Sequence, residues 1–363
     1  MEGDPKKVIQ GEIEAKRAER SAGLLNFKTA NRAALDASLR PNPKDLYHGL
    51  WYEGEVCCLF SDSNVGKSIY AVQMAEYIAY DQIVLYVDCE LSDKQFQLRY
   101  TDDDSGALHR FPDTLYRAEI DPSRIDFKNL EKQIIQDIEK AAKLLDCHVI
   151  IIDNLTYLCN NSEKGDVAGL FMMSLINLKQ LYGWSILVIA HTPKRNLTDP
   201  ITQNHLAGSK KLINFFDSAF SIGKSARDEN LRYVKQIKVR AGAFEYNAEN
   251  VMVYELTKEG GYVHFEWKAY GSEREHLREV DESDKTFQVE RAHEYKRQGK
   301  TVREIAGLMG ISKSKADRLL KIDTMSQTDK NGTNGTSGTS GTTKAAVQTG
   351  DLWYNKLDNN END

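Results

Sequence analysis

Residues 56–80, VCCLFSDSNVGKSIYAVQMAEYIAY, decide the fold. An apolar run, VCCLF (56–60), leads into SDSNVGKS (61–68), and a helix-prone stretch follows from Lys67 to about residue 80. Strand, tight loop and helix form the setting in which G-x-x-x-x-G-K-[ST] binds phosphate. Backbone N–H groups and the helix N-terminus cradle the phosphates, a lysine neutralises the β and γ groups, and a hydroxyl ligates Mg²⁺. The candidate nucleotide contacts are therefore Ser61, Asp62, Ser63, Asn64, Val65, Gly66, Lys67, Ser68 and Ile69, with Lys67 on phosphate and Ser68 on the metal. The first position departs from the pattern, because Ser61 stands where glycine is expected. If its backbone needs φ > 0, a side chain there costs about 1 kcal/mol, which bound phosphates offset.

Outward from this loop the chain alternates short β-rich runs with amphipathic helical stretches. The strands read 56–60, IVLYV (83–87), VIII (149–152), SILVIA (185–190) and AFSI (219–222), with helices near 67–80, 92–100, 127–145 and 167–182. Apolar strands separated by helices imply an α/β fold with a parallel sheet buried on both faces. YVKQIKV (233–239), VMVYEL and YVHFEW, the last two around Gly260 and Gly261, have no helix between them and predict antiparallel strands that close the sheet. This domain spans 46–267. A charged, helix-prone arm (1–45) precedes it. A linker (268–285), a small helical unit (286–322) and a low-complexity tail (323–363) that cannot bury apolar surface follow.

In such a sheet ligands bind at the carboxyl ends of the strands. HVIIIDNL places Asp153 there, where a carboxylate can hold the water shell of Mg²⁺ beside Ser68. VLYVDCELS places Asp88 and Glu90 there, and one of them can orient or deprotonate an attacking water. Glu90 is the favoured base, and Asp88 is read equally well as a cap or surface charge. SILVIAHTPKRN adds His191, able to sense a γ-phosphate or to serve as a capping histidine.

With 28% charged and 40% hydrophobic residues in 363, the chain has an ordinary globular make-up. No apolar run is long enough to span a membrane and the charged start is unlike a signal peptide, so the sequence reads as cytoplasmic, without a membrane partner. Five cysteines without a C-x-x-C pair read as buried thiols, not metal ligands. A net charge of −6 excludes a uniformly basic nucleic-acid binder, so any such contact is local.

The order SDSNVGKS, VDCEL, VIIIDNL, VIAHTPKR, IKVRAG resembles the ATPase core of RecA-like proteins, and within them the hexameric replicative helicases of the RepA and DnaB kind. The likeness spans about 46–267, and its DnaB-like members accept a small residue where Ser61 stands. It implies ATP and Mg²⁺ as ligands, Glu90 as catalytic glutamate, Asp153 as the Mg²⁺ carboxylate and His191 as polar sensor. It further implies that Lys238 and Arg240 reach the γ-phosphate of a neighbouring subunit in a homo-hexamer. From spacing alone these two only alternate with apolar residues on one strand.

Two segments bear on DNA. In RecA-like motors the loop corresponding to the one after His191 grips single-stranded DNA. Here Lys194 and Arg195, or Lys210 and Lys211, are candidate phosphate contacts. FQVERAHEYKRQGKTVREIAGLMGISKSKADRLLK resembles the helix-turn-helix of site-specific recombinases. Thr301 caps one helix, Gly310 makes the turn and Ser312 opens a second. Counted with Lys285 just before the stretch, ten basic residues oppose four acidic ones, a local charge near +6 that favours duplex DNA. Exposed Lys313, Ser314 and Lys315 would face the major groove. The sequence thus reads as an ATP-hydrolysing DNA motor of plasmid or mobile-element replication. The alternative is an ATP-dependent switch that regulates DNA binding by the C-terminal unit. A small-molecule kinase is disfavoured, since nothing resembles an acceptor-binding lid.

Overall fold

The structure, a computed structural model, describes residues 21–126, 129–154, 166–192, 199–206, 212–240, 242–277 and 282–322. Its centre is a nine-stranded sheet. In chain order the strands are β1 (Val56–Ser61), β2 (Val84–Asp88), β3 (Leu115–Glu119), β4 (Val149–Asp153), β5 (Ser185–His191), β6 (Ser218–Lys224), β7 (Leu231–Lys238), β8 (Val251–Glu259) and β9 (Tyr262–Gly271). In space they run β9-β8-β7-β6-β1-β5-β4-β2-β3, with β1 to β6 mutually parallel and β7 to β9 antiparallel. This is a RecA-like α/β fold, and β1 lies between β5 and β6 at the point where crossovers change direction.

Alternation along the strands builds two cores, one on each face. Val56, Cys58, Phe60, Ile150, Ile152 and Val188 face α4 (Leu130–Leu145) and α5 (Asp166–Tyr182). Cys57, Leu59, Ile151, Leu187 and Ile189 face α2 (Lys67–Ala79), which supplies Tyr70, Met74 and Ile78. Each fully buried side chain of this kind contributes about 1.5–3 kcal/mol, which fixes β1 at the centre of the sheet. Gln73 of α2 bonds the backbone of Phe265 in β9 in both directions, at 2.8 and 3.1 Å, so the antiparallel edge is tied to the helix that follows the loop.

Three features differ from the sequence expectation. β3 does not stand out in the sequence because LYRAE, at the sheet edge, is only partly buried and carries two charges. The supposed linker is largely ordered. Tyr262–Gly271 extends the last strand past Trp267, and the short helix α6 (Glu273–Leu277) buries Glu273 and His276 against the core. In the arm, a small hairpin at 21–26 and the helix α1 (Ala30–Ser38) lead to a second hairpin at 45–52; residues 1–20 and the tail from 323 lie outside the described residues. Cys57, Cys58, Cys89 and Cys147 are free thiols, and Cys159 lies outside the described residues. Among the described residues no helix is long and apolar enough to cross a membrane.

The C-terminal unit packs α7 (Glu282–Arg297), α8 (Val302–Met309) and α9 (Lys313–Leu320) around Val289, Ala292, Ile305, Ala306, Ile311, Ala316 and Leu319. α3 (Asp93–Arg99) follows the turn after β2. Thr301 and Glu304 form a capping box at the start of α8, Gly310 ends it at φ +61°, and Ser312 caps α9. Each cap satisfies backbone groups that the helix leaves open.

His276 Nδ1 lies 2.9 Å from Ser225 Oγ, and its ring stacks on Tyr233. Burial, with Arg227 nearby, holds its pKa down to about 4. The native imidazole is therefore neutral where the unfolded one takes a proton, so this contribution is present above pH ~6.5 and lost as pH falls toward 4. The loss is about 3 kcal/mol at the acid end. His276→Gln should flatten the acid limb of the stability curve from pH 7 to 4. An unchanged slope in urea titrations would count against the assignment.

Candidate active site

The loop between β1 and α2 leaves the sheet at its carboxyl edge. Ser61 is the last residue of β1 and does not take positive φ; the left-handed positions are Asn64 (φ +61°) and Gly66 (φ +106°). The concern over a missing glycine is thereby corrected. The turn is made three and five residues later, by a residue type that tolerates this region and by glycine itself. Gly66 is required twice over, since a Cβ there would also stand 3.0 Å from the Phe265 ring. Ser63 and Asn64 are exposed at the tip, while Val65 is buried and half-buried Ile69 packs against the α2-side core. Gly66 is also the N-cap of α2 and has no side chain to cap with, so the first N–H groups of the helix are left to a ligand.

Lys67 is buried with its Nζ 3.0 Å from Ser61 O, 2.9 Å from Asp62 O and 3.1 Å from His191 Nδ1. Burial holds its pKa down to about 8, against the pull of Asp153, Glu90 and Asp62. It is a cation short of anionic partners, matched to a phosphate. The loop is braced from β5, because Thr192 N donates to Ser61 O at 3.1 Å and the Thr192 hydroxyl donates to Asp62 Oδ1.

Asp153 ends β4, buried, with Oδ2 accepting from the Tyr86 hydroxyl at 2.6 Å. Burial raises its pKa to about 6, partly offset by Tyr86 and by the Ser68 hydroxyl beside it. Its Oδ1 is buried with no hydrogen-bond partner. An orphaned carboxylate oxygen next to a serine hydroxyl is a hard-oxygen pair of the kind that Mg²⁺ takes while keeping waters and phosphates as its other ligands. Asp153 and Ser68 therefore fit the metal, which when bound would neutralise charge on the β and γ groups. No group of three or more His, Cys, Asp or Glu suited to a metal occurs among the described residues.

The two carboxylates after β2 have different surroundings. Asp88 is saturated. Its Oδ1 accepts the N–H groups of Glu90 (3.1 Å) and Leu91 (2.9 Å), and its Oδ2 pairs with Arg117 Nε at 3.0 Å. It shapes the turn and offers nothing to a substrate. Glu90 is exposed, at 45%, and its carboxylate accepts from the Asn154 amide, with His191 Nε2 3.8 Å away. His191, then burial in opposition and Asn154, leave its pKa below the ordinary value, so it is charged at neutral pH. A charged, partly solvated carboxylate beside the phosphate lysine can hold and deprotonate a water.

His191 thus touches both Lys67 and the Glu90–Asn154 pair, with Asn154 Nδ2 3.2 Å from its Nε2. Asn154, Tyr86 and Thr192 were not singled out from the sequence. Their signal was faint: a polar residue following a strand-end aspartate, a single hydroxyl in a buried run, and a hydroxyl after a histidine.

The remaining candidates lie elsewhere. Lys238 pairs with Ala219 in the β6-β7 ladder, and Ser218 in turn pairs with Cys57 near the start of β1, so Lys238 and Arg240 are at the opposite edge of the sheet from the phosphate loop. Lys238 Nζ donates to Ile213 O (2.9 Å) and Phe216 O (2.7 Å); Arg240 pairs with Asp217 at 2.7 Å and is 55% exposed. Lys194, Arg195, Lys210 and Lys211 fall outside the described residues. Lys313 and Ser314 are exposed, but Lys315 is not: it is half-buried, with Nζ bonded to Arg227 O. The expectation of an exposed Lys315 is corrected, because the unit packs against the core on that side.

Fold and site together resemble those of a RecA-like P-loop ATPase domain. The AAA domain family matches residues 21–196, which include the phosphate loop, Glu90, Asp153 and His191. A KaiC-like protein from the hyperthermophilic archaeon Pyrococcus horikoshii OT3 is structurally similar, with a TM-score of 0.45 at 11% identity over 59% of this chain and 90% of that one. No curated protein matches the chain.

Proposed function

We propose that the protein hydrolyses Mg²⁺-ATP at a site shared between subunits of a ring, probing the neighbour's γ-phosphate with Arg240, and that it couples turnover to movement along DNA. One observation carries the shared site. Among the described residues the arginines flanking the phosphate loop are committed, Arg117 to Asp88 and Arg232 to the backbone carbonyls of Val65, Glu229 and Leu231. Charge developing on the transferred phosphoryl group needs a further cation, which a neighbour can supply. Arg240 suits that role better than Lys238. Its partner Asp217 keeps Lys179 Nζ at 2.7 Å and Val56 N at 2.9 Å when the guanidinium leaves, whereas Lys238 holds two carbonyls that would be left open.

Arg240→Ala should bind ATP normally and turn over slowly, and mixing it with Glu90→Gln subunits should restore part of the rate, because some interfaces regain both groups. No recovery between subunits shown to exchange would overturn the shared site. The DNA part of the reading rests on the loop after His191 and on the basic three-helix unit, read as a helix-turn-helix. Single-stranded DNA should accelerate hydrolysis, and a strand-displacement assay reads the movement. The second reading, an ATP-controlled switch, is favoured by the contact between α9 and the core. It predicts hydrolysis that single strands leave unchanged.

A further inference from the structure

DNA reading by the C-terminal unit needs the start of α9, and that is the part the ATPase core holds. Ser312, its cap, donates to Asp228 Oδ2 through its N–H at 3.3 Å and through its hydroxyl. The next N–H, of Lys313, points at both oxygens of Glu255, at 3.0 and 3.2 Å. Arg318 pairs with Glu229 at 2.9 Å, and Arg303 of α8 with Glu266 at 3.2 Å. With α9 seated on them, Asp228 and Glu255 are only 5% and 4% exposed, so both carboxylates are desolvated in this contact. Glu255 also keeps Lys268 at 2.9 Å, and Asp228 shapes its own turn through Asn230 N at 2.9 Å.

A carboxylate on the first free N–H of a helix occupies the place where a helix N-terminus takes a DNA phosphate. Glu255 fills that place on α9, and Glu229 and Glu266 engage two of the unit's arginines. The seat is also connected to the nucleotide site. Arg232 in β7 donates from Nε to Val65 O of the phosphate loop at 2.9 Å and from Nη1 to Glu229 O of the seat at 2.6 Å.

We propose that the seat formed by Asp228, Glu229 and Glu255 competes with duplex DNA for the start of α9, and that Arg232 links this competition to nucleotide binding. The proposal rests on the reading of α9 as a DNA contact and on neither the ring nor the motor. A nucleotide that shifts Val65 shifts Arg232 and the seat, so ATP and DNA change each other's affinity by the same factor.

The test uses the full chain and a mixed-sequence duplex, followed by fluorescence anisotropy at fixed low salt, with and without a non-hydrolysable ATP analogue. Asp228→Asn combined with Glu255→Gln should bind the duplex about tenfold more tightly without nucleotide, with faster amide exchange at 313–315. Arg232→Lys, which cannot span both carbonyls, should lose the effect of the analogue on duplex affinity. If the double variant fails to fold, Glu255→Gln alone should give a smaller gain of the same sign. Faster exchange at α9 with wild-type duplex affinity would overturn the competition and leave DNA binding by the unit standing. Absence of duplex binding in every protein would overturn that DNA reading, and the proposal with it.

Discussion

Lys67→Ala should abolish measurable ATP binding, raising the dissociation constant by about 100-fold or more, as read by titration with a fluorescent nucleotide. The ammonium sits on Ser61 O, Asp62 O and His191 Nδ1, and burial has already lowered its pKa to about 8. A phosphate relieves that cost by giving the cation an anion, so the loop is built for a partner it does not itself contain. Removing the amine leaves the phosphates facing only backbone N–H groups. The substitution also frees two carbonyls, so Lys67→Met, which keeps the packing of the stem, separates lost charge from lost structure. Unchanged affinity in a folded variant would overturn the site.

Glu90→Gln should bind ATP with near-normal affinity and hydrolyse it about 10²-fold or more slowly, because the amide keeps the shape but cannot take a proton. Asp88→Asn is the matched control. Asp88 accepts two backbone N–H groups and Arg117, so its loss should lower thermal stability through the turn at 88–91 while leaving the rate per folded molecule within a few-fold. A collapse of turnover in Asp88→Asn, with Glu90→Gln active, would show that the wrong carboxylate was assigned. Single-turnover measurements separate the hydrolysis step from product release in both variants.

The carboxyl edge of the sheet was legible because apolar runs mark where its strands end. Ser61, Asp88, Asp153 and His191 close β1, β2, β4 and β5, and such runs are readable from composition. What each member does was less legible. Asp88 and Glu90 are two residues apart and chemically alike; Arg117, brought from the edge strand β3, is what satisfies one and leaves the other available. β3 itself escaped notice because a partly buried edge strand carries charges that break the apolar pattern. The ends of β9 and the helix α6 escaped for a related reason. Their polar residues Glu273 and His276 are buried through specific partners, Lys235 and Ser225, that lie far away in the chain.

Local pattern by itself determined the strand–loop–helix around residues 56–80, the parallel core, the caps Thr301, Gly310 and Ser312, and the set of polar residues at the carboxyl edge. These follow from periodicities of two and 3.6 residues and from turn chemistry, which act over a few residues. The tertiary structure alone decided that Ser61 needs no left-handed backbone, that Asn154 joins Glu90 to His191, that Lys238 and Arg240 sit at the far edge, and that the basic start of α9 is held by Asp228 and Glu255. Each of these depends on which distant groups meet in a region of low dielectric. There a single hydrogen bond or paired charge determines whether a side chain is structural or available for chemistry.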